Sequence, residues 1–356
     1  MAIQDFTTDR RRNQEGENLS VRIGALDRAP ARIKVVGVGT SGCNRVKWMM
    51  HRAVPGMSFA MVNTNDYGME TNDLSVDVIQ IGTNRARVWG SGGGYRAEFD
   101  GPSDESSQQL RQSLSNADLV FVTAGMGGGT GTGVAPYVAH LAKEQGALVV
   151  GLVTAPFGFE GRRRMGLAVA GVDRLRPHVD NLILIHNDRL LTYFDRNAHM
   201  AQAFETADEV VAQAIMGMSE LINVPQEVNL ELDDVRSIMK CRGRALMAIG
   251  RGSGTAGPAE AVRQAFANPL LDLPFDRATG VLMMFKGGAA GMTLGGVNAA
   301  RQVVADAVQK DATVFMGVGI DERMGEEISL TLIATGLQHA GPDGPDQTEI
   351  IKERHP

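Results

Sequence analysis

The 356-residue sequence predicts a doubly wound α/β fold followed by a second, smaller α/β domain. Three observations carry that prediction. Short apolar, β-branched runs alternate with longer stretches of helical period. Glycine-rich loops follow directly on some of those runs. One long amphipathic stretch then separates this alternating half from a sparser second half. At about 150 residues per domain the length allows two domains.

Residues 1–31 are polar, charge-balanced and without periodicity, and are expected to form a disordered arm. The strand candidates follow in order: Ile33–Val38, Ser58–Asn63, Val76–Ile81, Asp118–Ala124, Ala147–Thr154 and Asn181–Ile185. Continuous apolar runs such as Leu119-Val120-Phe121-Val122 suit strands buried on both faces, hence a parallel sheet of about six strands between helical layers. The nucleotide-binding domain so defined spans 32–200. Phe204, Ala207, Val211, Ala214, Met218 and Leu221 then recur at three- and four-residue spacing, which predicts a central helix over 201–224. After a loop from Pro225 to Leu232, two more helices are expected, then strands Gly280–Phe285, Thr313–Val318 and Glu327–Ala334, in a C-terminal domain over 225–338. Residues 339–356 are polar and broken by Gly and Pro, and are expected to be a disordered tail.

Composition excludes several classes. Acidic residues outnumber basic ones 41 to 35, so the chain lacks the overall positive charge of a nucleic-acid binder. Cys43 and Cys241 form no CxxC pair and fit a reducing compartment. No apolar run approaches the ~18 residues of a membrane span, so a soluble cytoplasmic protein without membrane insertion is expected. The histidines show no metal-binding spacing and no GxSxG elbow occurs, which argues against a zinc site and a serine hydrolase.

The glycines, 43 in all, collect in a few loops. Gly37-Val38-Gly39-Thr40-Ser41-Gly42 follows the first strand as GxGxxG, where helix N–H groups meet phosphate, and Asp66 lies where a ribose-binding acid would sit. By itself this loop also fits a plain strand–helix turn. A Walker A loop is excluded because Cys43-Asn44 stands where Lys-Ser/Thr is required. The fourth strand ends in Gly125-Met126-Gly127-Gly128-Gly129-Thr130-Gly131-Thr132-Gly133, six glycines in nine residues, a bed of backbone N–H groups for several phosphate oxygens. A third cluster, Gly90-Ser91-Gly92-Gly93-Gly94, follows the third strand. Together these loops could surround a di- or triphosphate without a lysine. A dinucleotide dehydrogenase needs only the first.

Gly127 to Gly133 is the tubulin signature, and Thr154-Ala155-Pro156-Phe157-Gly158-Phe159-Glu160-Gly161-Arg162-Arg163-Arg164 resembles the matching loop of the FtsZ family. Asn187-Asp188-Arg189-Leu190-Leu191 and Ile333-Ala334-Thr335-Gly336-Leu337 also match, so the resemblance covers about residues 32 to 337. It implies a GTPase that polymerises head-to-tail with itself and serves bacterial-type cell division, located in the cytoplasm at the division site. GTP/GDP would be bound with Mg2+ held mainly by phosphates and water.

Residue by residue, the resemblance implies that Thr40, Ser41, Gly42 and Asn44 line the first loop, and that Gly125, Gly128, Gly129, Thr130 and Gly131 cradle phosphates. Glu160 and Arg164 would face the ribose, although their i, i+4 spacing also suits a surface ion pair. Asn187 would contact ribose or base. Phe204 would stack on guanine, unless it serves only the core, and Asp208 would accept the guanine N1 and N2 hydrogens. Glu231 and Asp234 suit a helix start on dipole grounds, whereas the resemblance implies that they enter the next subunit's pocket and position the attacking water.

Departures from the family pattern are Thr40-Ser41 for glycines, Asn65 for Asp, Trp48 for Arg, His186 for Pro and Glu231 for Asp. A linker and membrane-tethering peptide like those of FtsZ are also not expected after Leu337. Two rival readings stay open: a GTP-binding structural filament with weak hydrolysis, favoured by Asn65 and Glu231, and an NAD(P) oxidoreductase using the first loop alone.

Overall fold

The computed structural model describes residues 29–65, 68–81, 104–191, 199–241, 244–268 and 275–337. Asp66, the Gly90–Gly94 cluster, most of the N-terminal arm and the tail from 339 lie outside them.

The first half alternates strand and helix: β1 (Ile33–Val38), α1 (Gly39–Met50), β2 (Met57–Asn63), β3 (Val76–Gln80), α2 (Asp104–Ser113), β4 (Leu119–Gly125), α3 (Gly129–Glu144), β5 (Leu148–Ala155), α4 (Arg162–Leu175) and β6 (Asn181–His186). All six strands pair in parallel in the order β3-β2-β1-β4-β5-β6. Each predicted strand is present to within a residue or two. Side chains leave alternate faces of a strand, and here both faces are covered. Ile33 and Val35 pack with Val46 and Met49 of α1, whereas Val36 and Val38 join Val134 and Val138 of α3 on the opposite face. That is why the strand sequences read as continuous apolar runs.

A single helical turn at Asn187–Leu190 leads towards the long helix α5 (Met200–Asn223). The second half then contains α6 (Leu232–Met239), β7 (Arg244–Ser253), α7 (Gly257–Phe266), β8 (Gly280–Gly287), α8 (Leu294–Ala307), β9 (Thr313–Ile320) and β10 (Glu327–Leu337). The expectation of two helices running on from the 225–232 loop to β8 is corrected by β7, which lies between them. Ala245-Leu246-Met247-Ala248 is made of strong helix formers, and its burial on both sides removes the alternation that marks a strand. β7 pairs antiparallel with β10, which pairs antiparallel with β8, while β8 and β9 are parallel. β7 also touches β6 at a single register position, Ile183↔Ala245, so the two halves form one ten-stranded sheet.

Of the predicted stripe on α5, Ala207, Val211, Ala214, Met218 and Leu221 are buried. Phe204, near the start of the helix, is 38 % exposed and leaves the core.

Candidate functional site

β1 stands between β2 and β4, and the strand order reverses there, which opens a crevice at the carboxyl ends of β1 and β4. Both α1 and α3 begin at this crevice. Their N-cap residues, Val38 and Gly128, supply no side-chain cap, and neither helix has an acid in its first turn. Their first backbone N–H groups and positive dipole ends therefore remain available to an anion. The loops lie close together. A Cβ on Gly39 would come within 3.0 Å of Gly131 N, and Thr64 Oγ1 is 2.9 Å from Thr130 Oγ1.

The resulting cleft has a volume of about 430 Å³. Thr40, Ser41 and Asn44 line it from the first loop, and Gly125 and Gly128 to Gly131 line it from the second. Glu160, Arg164, Asn187, Phe204 and Asp208 complete the sequence-predicted set, joined by Asn63, Thr64, Asn65 and Thr154. Gly42 is the exception. It is buried, and a Cβ there would sit 2.5 Å from the Thr123 carbonyl oxygen, so this glycine allows α1 to pack on β4 and does not face the cleft.

The two glycines of the second loop that matter most behave in opposite ways. A Cβ at Gly131 would lie 2.4 Å from Gly125 O, so the backbone has no room for one. At Gly128 a Cβ would meet nothing within 4 Å, because the space beside it is the cleft.

Glu160 accepts the Phe157 N–H through Oε1 at 2.8 Å and pairs with Arg164 through Oε2, so the ion pair exists and borders the cleft as well. Phe204 meets the ring of Phe157 edge-on, centroids 5.2 Å apart, with the half-exposed Phe159 stacked on Phe157. Asn187 is 6 % exposed, and its Oδ1 has no hydrogen-bond partner among the described residues. A buried acceptor without a donor costs free energy, and a ligand N–H or O–H entering the cleft would relieve it.

Asp208 is not a free carboxylate. Its Oδ1 accepts from Ser41 Oγ at 2.6 Å and from Arg45 Nε at 2.8 Å. Arg45, which no sequence pattern singled out, is wholly buried on α1. Its Nη1 donates to Thr123 Oγ1 and the Ala124 carbonyl, and its Nη2 to Ser41 Oγ and Thr154 Oγ1. The i, i+4 spacing of Ser41 and Arg45 on α1 was the only local trace of this cluster.

Glu231 and Asp234 are not in the cleft. Asp234 Oδ2 accepts the Glu231 N–H at 3.0 Å at the start of α6, and Leu230 N bonds back to Leu221 O. From Asp208 to Leu221 the helix advances about 20 Å. A larger cleft, of about 1180 Å³, lies between α5 and the β8–β10 region, with Gln213, Glu220 and Lys286 among its walls, and contains none of the predicted site residues. Size alone would select it, but the uncapped helix ends and the unpaired Asn187 acceptor favour the smaller one.

The Tubulin/FtsZ family GTPase-domain model matches residues 32–195, and the FtsZ family C-terminal-domain model matches 243–338. An FtsZ dimer from M. jannaschii is 34 % identical, with 86 % of this chain and 89 % of that chain covered at a TM-score of 0.80. The chain belongs to the tubulin/FtsZ family. The fold extends to CetZ2 from Haloferax volcanii, solved as a GTPγS-bound protofilament, which is 21 % identical over 91 % of this chain and 97 % of that one, at a TM-score of 0.73. Both the doubly wound GTPase domain and the long helix that joins it to the second domain are thus those of FtsZ-like proteins. Among the described residues no helix is long and apolar enough to cross a membrane.

Proposed function

We propose that the protein binds GTP in the smaller cleft, assembles head-to-tail with further copies of itself, and hydrolyses GTP only at the junctions between them, as a cytoplasmic filament protein of cell division. The observation that carries this reading is the separation of the two halves of the chemistry. Among the described residues the phosphate-type cleft contains no carboxylate free of a cationic partner, because Glu160 is paired with Arg164 and Asp208 with Arg45. The two remaining acids of the predicted set, Glu231 and Asp234, stand outside it at the start of α6, on a segment that Leu230 N ties to Leu221 O, a carbonyl about 20 Å along the long helix from Asp208. A head-to-tail contact that does not close on itself brings one copy's acids to the next copy's cleft and generates an open filament.

In this reading the backbone N–H groups opening α1 and α3 hold the phosphates, Asn187 satisfies its acceptor on the nucleoside, Phe204 stacks on the base and Asp208 selects guanine. Asp234, with Glu231, orients water from the neighbouring copy. Mg2+ supplies charge neutralisation on the phosphates when bound. The donors beside it would be Thr40 and Asn65, neutral oxygens that suit a cation kept mainly by phosphate and water.

The test is phosphate release against protein concentration with GTP and Mg2+. Turnover per subunit should rise steeply above an assembly threshold. A rate that stays the same down to demonstrably monomeric protein would overturn the shared-site reading. A second reading, assembly with slow hydrolysis, is favoured by the Asp234 bond to its own helix cap, which engages the carboxylate proposed to act on water. It predicts filaments with GTP and little phosphate release.

A further inference from the structure

We propose that Arg45 is a positioning residue for base selection: it fixes the Asp208 carboxylate so that only Oδ2 is offered to the ligand. The proposal rests on the reading of the cleft as a guanine-nucleotide site and assigns a role to a side chain beneath it.

A guanidinium has five N–H donors, and each of those of Arg45 has an acceptor. One reaches Asp208 on the long helix, one Ser41 on α1, two Thr123 and Ala124 on β4, and one Thr154 on β5. With no donor left over, Arg45 does not touch a ligand. It acts through Asp208, which is 19 % exposed at the cleft wall while Arg45 is fully enclosed.

Three consequences follow for the carboxylate. Its Oδ1 takes both the guanidinium and the Ser41 hydroxyl, which uses the two lone pairs of that oxygen and holds the plane of the group. The adjacent guanidinium backs a carboxylate that attracts the N–H donors of guanine and repels the N1 lone pair of adenine. It also offsets a negative charge that would otherwise stand in the same cleft as the phosphates. Because the planar fork spans four elements, the oxygen left for the base is fixed relative to both phosphate loops, and the distance from base site to phosphate site is set with it.

Arg45→Met removes the fork at similar volume, and Arg45→Lys keeps a charge that cannot bridge the same acceptors. GDP, ADP and inorganic pyrophosphate binding are measured by calorimetry for each, with melting temperature alongside. The GDP-to-ADP affinity ratio should fall about tenfold or more in Arg45→Met and by less in Arg45→Lys, while pyrophosphate affinity changes little. Equal losses for all three ligands, with the ratio unchanged in folded protein, would show a purely structural role and overturn the proposal. If Arg45→Met does not fold, Thr123→Val loosens the fork away from the cleft, and the ratio should still fall about threefold; an unchanged ratio there is equally fatal. Wild-type protein that binds GDP and ADP alike would instead defeat the guanine reading itself.

Discussion

Asp234 Oδ2 accepts the backbone N–H of Glu231 at 3.0 Å, so the two acids proposed to orient water are held together at one helix start. The bond ties the capping role of Asp234 to its proposed catalytic role, so a substitution will report on both.

Asp234→Ala should cost the monomer about 1 kcal/mol through the lost cap bond and leave GDP affinity unchanged. Turnover above the assembly threshold should fall by roughly two orders of magnitude or more. Mixing it with an Asp208 variant, whose pocket is spoiled but whose acids are intact, should restore activity, provided that the partner joins the filament. No recovery in demonstrably mixed filaments would count against catalysis across the junction.

Asp208→Asn carries two separable losses. Nucleotide affinity should fall by about 1–3 kcal/mol with the charged acceptor gone. Stability should also drop, by up to about 3 kcal/mol, because a buried arginine loses its counter-charge. Urea unfolding of the ligand-free protein measures the second effect by itself. A variant as stable as the wild type would mean that Arg45 does not depend on this ion pair.

Gly128→Ala and Gly131→Ala should part company. The first adds a methyl group to open space at an ordinary φ of −88° and should cost about 1 kcal/mol or less, yet nucleotide binding should weaken markedly because that space is where phosphates would lie. The second drives a methyl group into Gly125 O and should destabilise the fold by several kcal/mol. Full-strength GTP binding by Gly128→Ala would remove this loop from the phosphate site.

Acid stability should depend on Asp77. Burial would raise its pKa, but the hydrogen bonds from Lys34 Nζ at 2.7 Å and from Ser113 Oγ outweigh it and hold the carboxyl below the usual range. The folded pKa is thus lower than the unfolded one. The stabilisation is present above the ordinary carboxylate range and is lost as pH falls through the lowered value. Melting temperatures of wild type and Asp77→Asn should differ at pH 7 and converge below about pH 3. A gap that stays constant with pH would mean that the carboxylate charge contributes nothing.

The parallel half of the fold was legible because doubly buried strands announce themselves as apolar runs, and the phosphate-type cleft because glycine loops have few other uses. β7 was not, since Ala245 to Ala248 follow helix propensity while their partners on β10 lie more than 80 residues further along the chain. Arg45 was not, because a charged residue inside a helix usually points outward. Its meaning comes from Asp208, Thr123 and Thr154, which only the folded chain brings to it. The distance between the cleft and Glu231 with Asp234 was likewise invisible until the long helix had a direction.

A grip built from main-chain N–H groups has an unusual vulnerability. Alanine scanning deletes atoms, and across the Gly125–Gly131 loop there are few side-chain atoms to delete: at each glycine the scan adds a methyl group instead. Harmful changes in this region should therefore be insertions of bulk, and a survey that looks for lost side chains would pass over the part of the protein proposed to hold its ligand most directly.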